Sequence, residues 1–474
     1  MRTMHPRESV FRRSLLVVVL YGMAVALALA ISSSMDDPDL WWHLRTGQWM
    51  VQHRALPDAE LFSAHHAHDR WVAYSWAYDL VVYAFHRAFG LFGPVVLSGL
   101  VALFIARALF WLLCTISGRA AFAAALAGVG LVAMAPMLYG RSTMFTIWFA
   151  LLEIHLLWRA LFLGETRKLA LVPLVLVAWA NVHVQFVYGL AIYACFAGQA
   201  LVDARKSFGA WALAGCACLA ATLVNPYGLR IYEPLLQYME QSRTIYALLE
   251  ELHPPSFATF DTWIALAIVV AVVVGVARRP IRKPFLLLLF AVAIVVGFRS
   301  ARDVWFFVAT GLPLLAAAIA GAREEVQEKE SPLLVAIGVL LVAGAASAAL
   351  GISGTSLRER LALHVPVAAS EFVEARAPGP IFNPYDWGGW LLWRLPDREI
   401  AIDGRTWVHR ADYIERSYRT WNAMPGWEDD PDLGAAAVVL GPRDQPLTSA
   451  LSGDPRFERV YQDAIACVFV RLRK

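Results

Sequence analysis

Charged residues are scarce in this chain, and their scarcity excludes an ordinary soluble protein. Asp, Glu, Lys and Arg make up 17% of the 474 residues, whereas hydrophobic residues make up 59%. Soluble domains usually contain about 25% charged residues, and the mean hydropathy of +0.53 points the same way. The composition therefore predicts a membrane protein.

Cysteine is also scarce, and the motifs of nucleotide-binding enzymes are absent. Of the five cysteines, Cys467 is alone in the C-terminal region, so no internal disulfide is expected there. No zinc-type cysteine spacing occurs, and we find no GxGxxG, Walker A or GxSxG pattern. The net charge of +3 gives no indication of a nucleic-acid partner.

Long apolar runs recur along the first three quarters of the chain. They cover 14–34, 91–114, 120–138, 144–163, 169–182, 186–203, 208–224, 262–277, 284–298, 303–321 and 332–350. Nearly all are long enough to cross a bilayer, and the run at 169–182 is short. The first run lacks a cleavage pattern, so we expect a retained anchor. The predicted fold class is a polytopic α-helical membrane protein with about eleven transmembrane helices.

Basic residues predict the orientation. Arg12 and Arg13 precede the first run, and every second loop after it contains Arg or Lys. Such loops stay in the cytoplasm. We therefore expect the cell (inner) membrane, a cytoplasmic N-terminus and a transmembrane domain over 1–354. Its first outer loop is long, 35–90, and a soluble extracytoplasmic domain follows over 355–474.

The C-terminal region has a different pattern. We predict a short helix at 365–376 and a loop at 385–390. Strands are predicted at 380–383, 399–405 and 435–440, with a hairpin within 457–472. Alternating helices and strands indicate a small α/β domain. We interpret it as a lid or acceptor-recognition domain.

Ionisable residues well inside the apolar runs are few: Arg107, Glu153 and His155. An unpaired charge in hydrocarbon costs several kcal/mol. We therefore expect Arg107 to pair with Glu153 or His155. The alternative is that Arg107 extends to the cytoplasmic interface.

Polar clusters collect on the predicted outer side. They lie at 36–46, 139–142, 179–185, 225–228, 250–253 and 298–303. Each cluster alone could cap a helix or form a turn. Together they favour one active site at the outer membrane face.

The segment 35–47 is the most informative of these clusters. Asp36, Asp37 and Asp39 directly follow the first apolar run. Carboxylates there are costly unless they face water, a cation or a substrate. They suit general-base or metal chemistry, or form a polar helix end beside interfacial tryptophans. The same segment supplies His43 as a candidate catalytic residue and Arg45 as a candidate phosphate-binding residue.

Other candidate ligands of phosphate lie at predicted outer helix ends: Arg141, Arg299 and Arg302. The planar guanidinium donates two parallel hydrogen bonds to phosphate, although each arginine could instead extend to lipid headgroups. His183 lies between two apolar runs. It is a proton donor, a phosphate contact or a satisfied polar residue in a helix break.

One histidine-rich stretch leaves a divalent metal open as a cofactor. His65, His66, His68 and Asp69 are ligand types within the first outer loop. No second ligand set with suitable spacing accompanies them. A solvated loop tip is the alternative interpretation.

Five motifs together carry a resemblance to a known family. They occupy 37–47, 179–183, 225–228, 385–389 and 402–405, and they resemble a group of prokaryotic polytopic membrane proteins. That group is similar to the GT-C glycosyltransferases, which include protein O-mannosyltransferases, aminoarabinose transferases and oligosaccharyltransferases. The resemblance implies sugar transfer from a polyprenyl-phosphate carrier to a protein, lipid or glycan acceptor at the outer face.

The resemblance also implies residue roles. An acidic residue that opens the first outer loop acts as base or orients the acceptor in such enzymes, which matches Asp37 and Asp39 by position, with Asp36 as a third candidate. Arginines at outer helix ends hold the carrier phosphate. This chain lacks a WWDYG-type acceptor motif, so the acceptor stays open. The alternatives from other classes are a transporter or channel, and a non-catalytic membrane assembly protein.

Overall fold

The computed structural model describes residues 6–63, 70–249, 252–320 and 330–472. The histidine-rich stretch at 65–69 lies outside the described residues. The chain divides into two compact units. A helical unit comprises 1–33, 94–229 and 250–352, and a sheet-containing unit comprises 34–93, 230–249 and 353–474.

Helices dominate both units. In chain order they are α1 Pro6–Ser32, α2 Asp39–His53, α3 Trp76–Phe89, α4 Phe92–Ser117, α5 Ala120–Ala133, α6 Thr143–Phe162, α7 Val172–Val182, α8 Phe186–Asp203, α9 Phe208–Ala221, α10 Glu233–Leu248, α11 Phe260–Arg278, α12 Pro284–Arg299, α13 Val304–Ala320, α14 Pro332–Ala349, α15 Gly354–His364, α16 Val367–Arg376, α17 Tyr385–Arg394, α18 Ala411–Trp421, α19 Pro431–Ala435 and α20 Pro446–Leu451.

The predicted multi-pass membrane character is confirmed. Each of the eleven apolar runs contains a described helix, because an uninterrupted apolar sequence in lipid must satisfy its backbone internally. Seven described helices are long and apolar enough to cross a membrane. The helices α5 and α12 are apolar but shorter. The count of eleven transmembrane helices stays a prediction.

Close packing in the helical unit depends on small residues. A Cβ added at Gly22 of α1 would lie 2.8 Å from the Val342 side chain of α14. A Cβ at Gly338 of α14 would similarly lie 2.6 Å from Val18. Glycine lets two helix backbones approach where lipid supplies no hydrophobic driving force.

The expected pairing of Arg107 is wrong. Its guanidinium lies 4.0 Å from the ring centroid of Trp111, one helical turn away. Both carboxylate oxygens of the fully buried Glu153, and Nδ1 of His155, have no hydrogen-bond partner among the described residues. The sequence gives the position of a residue along its helix, but it does not show which neighbouring helix that residue faces. The tryptophan face therefore takes the cation instead of the carboxylate.

The sheet-containing unit includes four strands: β1 Ile381–Phe382, β2 Val438–Pro442, β3 Phe457–Gln462 and β4 Ala466–Arg471. Their order is β1-β2-β4-β3. The β1 and β2 pair is parallel, and the other pairs are antiparallel. Phe382, Val439 and Phe469 contribute to its buried core. The predicted α/β character and hairpin are confirmed.

Two local predictions in this unit are wrong. The segment 385–390 is not a loop but forms the start of α17, where Trp387, Trp390 and Leu391 are buried on one face. The segment 399–405 forms no strand in the described structure, and Ile400 makes only isolated bridges to Ser63 and Ile381. In the first case, Trp387, Trp390 and Leu391 have the i, i+3, i+4 spacing of one helix face.

The first outer loop is structured. Residues 34–93 belong to the same compact unit as 353–474, whereas the sequence analysis assigned that loop to the transmembrane domain. The loop contains the helices α2 and α3. Gly47 of α2 lies so close to the Asp79 backbone that an added Cβ would overlap its carbonyl oxygen. The loop therefore forms a tight α2–α3 pair.

Candidate functional site

Three motifs that are far apart in sequence meet within the sheet-containing unit. They are the start of α2, the start of α17 and the segment 402–405. A Cβ on Gly389 would lie 2.6 Å from the Pro38 carbonyl oxygen, and a Cβ on Gly404 would lie 2.5 Å from Asp39 Oδ1. A Cβ on Gly388 would overlap the Ile402 carbonyl oxygen. The glycines therefore permit contact between these motifs.

The acidic residues lie at the N-terminus of α2. The Asp39 backbone N–H donates to Asp37 Oδ1 at 3.1 Å, and Trp42 Nε1 donates to Asp39 Oδ1 at 3.0 Å. Asp37 and Asp39 are half-buried, whereas Asp36 is exposed and accepts from Ser34 Oγ at 2.7 Å. The helix dipole stabilises negative charge at this end. Hydrogen bonds thus orient the Asp37 and Asp39 carboxylates, and both side chains stay partly accessible.

His43 forms a buried pair with Asp79, which the sequence analysis did not single out. Its Nδ1 lies 2.5 Å from Asp79 Oδ1, and Ser75 Oγ donates to the same oxygen at 3.2 Å. The imidazole centroid lies 3.5 Å from that of Trp42. Only 4% of His43 is exposed. The carboxylate fixes the ring orientation, as in other His–Asp pairs.

Burial controls the ionisation of Asp79. It raises the pKa of this carboxyl well above its usual range, although the Ser75 hydrogen bond and the charge of Arg405 act in the opposite direction. Desolvation disfavours the charged form of any carboxyl without full compensation. Burial therefore favours the protonated form of the Asp79 carboxyl beside His43.

A buried ionic cluster surrounds Arg405. Its guanidinium donates to both Glu60 oxygens at 2.8 and 2.9 Å, and to both Asp403 oxygens at 2.8 and 2.7 Å. His409 Nε2 lies 3.1 Å from Asp403 Oδ2. The Arg405 carbon Cζ also lies 4.9 Å from the Trp71 ring centroid. The cluster joins the first outer loop to the C-terminal segment.

Charge pairing in this cluster overrides burial. Burial alone would raise the pKa of Asp403, but Arg405 and His409 hold it well below its usual range. Burial likewise acts to lower the pKa of Arg405, and Asp403 and Glu60 hold it above its usual range. The pair is therefore ionised at every physiological pH. The motif 402–405 was visible in sequence, but nothing there marked Glu60.

Arg45 lies on α2 and is half-buried. Its Nη1 donates to Gln48 Oε1 at 2.8 Å, and its guanidinium lies 5.4 Å from the Phe62 ring centroid. Burial lowers the pKa of Arg45, against the effect of Asp397. Arg45 therefore contributes a positive charge within the loop unit.

The helical unit holds the remaining candidate residues. His183 follows α7 and is buried, and its Nδ1 lies 2.8 Å from Thr146 Oγ1, which also accepts from Trp179 Nε1 at 2.9 Å. Burial, and then the charge of Arg302, lower the pKa of His183 well below its usual range. The imidazole is therefore neutral, and it lies within electrostatic reach of Arg302.

The other two arginines of this unit differ in exposure. Arg141 is half-buried, with its Cζ 4.9 Å from the Tyr139 ring centroid. Arg299 is exposed at the last residue of α12. Next to Arg302, Asp303 accepts from Gln185 Nε2 at 2.9 Å. A helix-end cluster thus brings together His183, Arg302 and Asp303.

The candidate residues divide between the two units. Asp36, Asp37, Asp39, His43 and Arg45 belong to the sheet-containing unit, and Arg141, His183, Arg299 and Arg302 belong to the helical unit. The expectation of one shared cavity, within about 10 Å, joins residues of both units and stays a prediction. Among the described residues, no group of three His, Cys, Asp or Glu side chains is placed to hold a metal ion.

Comparisons with known proteins connect this architecture to solved structures. No protein-family model and no curated protein sequence matches the chain. The archaeal oligosaccharyltransferase AglB from Archaeoglobus fulgidus, in complex with an inhibitory peptide and a dolichol-phosphate, superposes with a TM-score of 0.58 at 10% identity. The match covers 90% of this chain and 69% of that one.

Two further structures of the Archaeoglobus fulgidus oligosaccharyltransferase agree. The apo form gives a TM-score of 0.58 at 11% identity. A form tethered to an acceptor peptide with the NVT sequon gives 0.52 at 10%. Each covers 90% of this chain and 69% of its own. The chain thus shares the fold of these multi-pass oligosaccharyltransferases, and this fold is consistent with the predicted resemblance.

Proposed function

We propose that this protein is a membrane glycosyltransferase. It transfers a sugar from a polyprenyl-phosphate-linked donor to an acceptor at the outer face of the cell (inner) membrane. The observation that carries the proposal is a GT-C-like fold in which Asp37 and Asp39 open the first helix of the first outer loop. The acceptor is a protein, a lipid or a glycan.

The lipid-linked donor is supported by the solved neighbour. That protein is in complex with an inhibitory peptide and a dolichol-phosphate, which is a polyprenyl-type phosphate, and another structure is tethered to an acceptor peptide. A donor of this class enters from the bilayer, so the enzyme needs no nucleotide-binding loop. Membrane lipid is accordingly the second partner of the helical unit.

The chemistry requires a proton acceptor beside the acceptor group. The acceptor's nucleophilic atom attacks the anomeric carbon, the bond from that carbon to the phosphate oxygen breaks, and the carrier phosphate leaves with the electron pair. A carboxylate takes the proton of the nucleophile. Asp37 or Asp39 has this role, and His43, held by Asp79, supports the helix that presents them.

The departing phosphate requires positive charge. Arg45, Arg141, Arg299 and Arg302 are the candidate cations, and arginine is suited because its planar fork matches phosphate oxygens. The neutral His183 is a candidate hydrogen-bonding partner of the phosphate. Preorganised donors of this kind stabilise charge that develops in the transition state. In this proposal the helix-end cluster of Arg302 and His183 binds the phosphate of the carrier.

The orientation completes the proposal. The N-terminus lies in the cytoplasm, and both the first outer loop and the domain over 355–474 lie outside. This places the carboxylates on the side where the positive-inside rule puts the polar loops.

A direct assay tests the function. Purified full-length protein in nanodiscs is given a panel of polyprenyl-phosphate-linked sugars with peptide, lipid and glycan acceptors. Mass spectrometry then measures released carrier and glycosylated product. Turnover of any donor supports the proposal. Protein that consumes no lipid-linked sugar but moves a solute across liposomes is a transporter, and the proposal then fails.

A further inference from the structure

We propose that the segment Asp403-Gly404-Arg405 positions the carboxylate of Asp39, so that the C-terminal region supplies a positioning residue, Gly404, to the first-loop active site. The proposal rests on the proposed function, because it assigns Asp39 as the base. It changes the interpretation of the C-terminal region from a separate recognition domain to a support for the catalytic carboxylate.

The backbone at Gly404 is held by hydrogen bonds. Its carbonyl oxygen accepts from the Tyr385 hydroxyl at 2.8 Å and from the Thr406 backbone N–H at 3.0 Å. The neighbouring Arg405 is fully buried, and its backbone N–H donates to Asp403 Oδ1 at 3.0 Å. A backbone segment fixed by buried charge-assisted hydrogen bonds has little freedom to move.

Gly404 faces the Asp39 carboxylate directly. An added Cβ would lie 2.5 Å from Asp39 Oδ1 and 3.4 Å from Trp42 Nε1. These are the two atoms that form the 3.0 Å hydrogen bond within α2. Because glycine has no side chain, position 404 leaves the space that this hydrogen bond occupies.

Trp42, the donor of that bond, is also fixed. It is 3% exposed, its ring centroid lies 3.5 Å from that of His43, and it makes an edge contact with Trp407 at 5.4 Å. His43 is in turn bound to the buried Asp79. The buried Trp42 indole thus holds Asp39 Oδ1 in position, and Gly404 lies next to the same oxygen.

Comparison with two neighbouring glycines indicates that a substitution at Gly404 can move the Asp39 carboxylate without preventing folding. A Cβ on Gly388 or Gly389 would meet backbone carbonyl oxygens, of Ile402 and Pro38 respectively. Such overlaps force main chain to move. A Cβ on Gly404 meets the end of a side chain, which can rotate away. The Gly404→Ala variant should therefore fold and yet displace the carboxylate.

The test is a double-mutant cycle on the transfer reaction. Gly404→Ala pushes Asp39 off its position, and Trp42→Phe keeps a ring while removing the N–H donor. Each is expected to lower kcat about 10- to 100-fold, because misplacement of a reacting group by about 1 Å has an effect of that size. The Michaelis constant for the donor should change less than threefold.

The cycle shows whether the two substitutions lower kcat through the same carboxylate or independently. If both changes act on the Asp39 carboxylate, the double variant loses no more than about threefold beyond either single variant. Multiplicative losses overturn the proposal, as does a Gly404→Ala enzyme with wild-type kcat. Gly434→Ala is the matched control, since nothing lies within 4 Å of a Cβ there. Thermal midpoints of all variants should stay within a few degrees of wild type.

The failure of the proposed function gives a different result. Wild-type protein without transfer activity overturns both proposals together. Active wild-type protein with independent effects of Gly404→Ala and Trp42→Phe overturns the positioning role alone.

Discussion

The guanidinium of Arg405 and the carboxylate of Glu60 form two parallel hydrogen bonds across 345 residues of sequence. Both side chains are at most 1% exposed. This ion pair ties the first outer loop to the C-terminal segment. The arrangement matters for function because that loop also contains Asp37 and Asp39.

Removal of Arg405 should destabilise the sheet-containing unit. Arg405→Met leaves Glu60 and Asp403 buried without their cation, and breaking a buried pair in this way costs about 3–5 kcal/mol. Thermal unfolding in detergent, followed by tryptophan fluorescence at one scan rate, measures the change. Arg410→Met is the control, because its ion pair with Asp412 is 75% exposed on both sides. Equal midpoints for the two variants would refute the structural role of the cluster.

The pH dependence of stability should identify Asp79. Its folded pKa is raised above the unfolded value of about 3.9, mainly by burial. The folded state therefore binds more protons, so this group's contribution is fully present below the unfolded pKa and is lost as pH rises toward the folded pKa. Asp79→Asn does not titrate, so its stability relative to wild type should increase with pH.

The measurement compares the thermal midpoints of Asp79→Asn and wild type between pH 4 and pH 8. Asp444→Asn is the control, since the Asp444 side chain is 95% exposed, and its difference from wild type should stay flat. A difference for Asp79→Asn that is equally flat would contradict a raised pKa.

Loss of the base should lower the rate without affecting insertion. Asp37→Asn and Asp39→Asn each keep the size of the side chain and remove its ability to accept a proton. The variant at the base should lose about 10²–10⁴-fold in rate, the usual contribution of general-base catalysis. Single-turnover transfer in nanodiscs measures this, with Asp444→Asn as control. Full activity in both variants keeps the transferase proposal and discards the assignment of the base.

Cysteine labelling should establish the orientation. Asp444→Cys places an exposed thiol in the C-terminal region, and Lys206→Cys places one in a predicted inner loop. A membrane-impermeant maleimide applied to intact spheroplasts should label position 444 and not position 206, with wild-type protein as the background. The reverse pattern would invert the proposed topology.

The accuracy of the sequence predictions depends on the range of the interactions involved. The helices of the helical unit were predictable because lipid imposes continuous apolar sequence. The segment that begins helix α17 was predicted as a loop, although Gly388 and Gly389 make the close backbone contacts expected of such glycines. Helix rotation around Arg107 was not predictable, since depth alone does not determine which neighbour a side chain meets.

The candidate site shows the same division. Asp37 and Asp39 stood out because carboxylates beside an apolar run are costly. Glu60 and Asp79 had no local signal, because each acquires its role only through a partner distant in sequence. Gly404 lay in the motif 402–405, but its contact with Asp39 was not visible there. Their assignment required the tertiary structure.

The contact between Glu60 and Arg405 also sets an order of events during biosynthesis. Chains grow at about 5–20 residues per second, so the 345 intervening residues delay the arrival of Arg405 by roughly 17–70 s. The first loop must wait that long for the segment that completes its fold. The rate of translation therefore sets this delay. A nascent chain in which most helices have been synthesised still lacks its complete candidate active site.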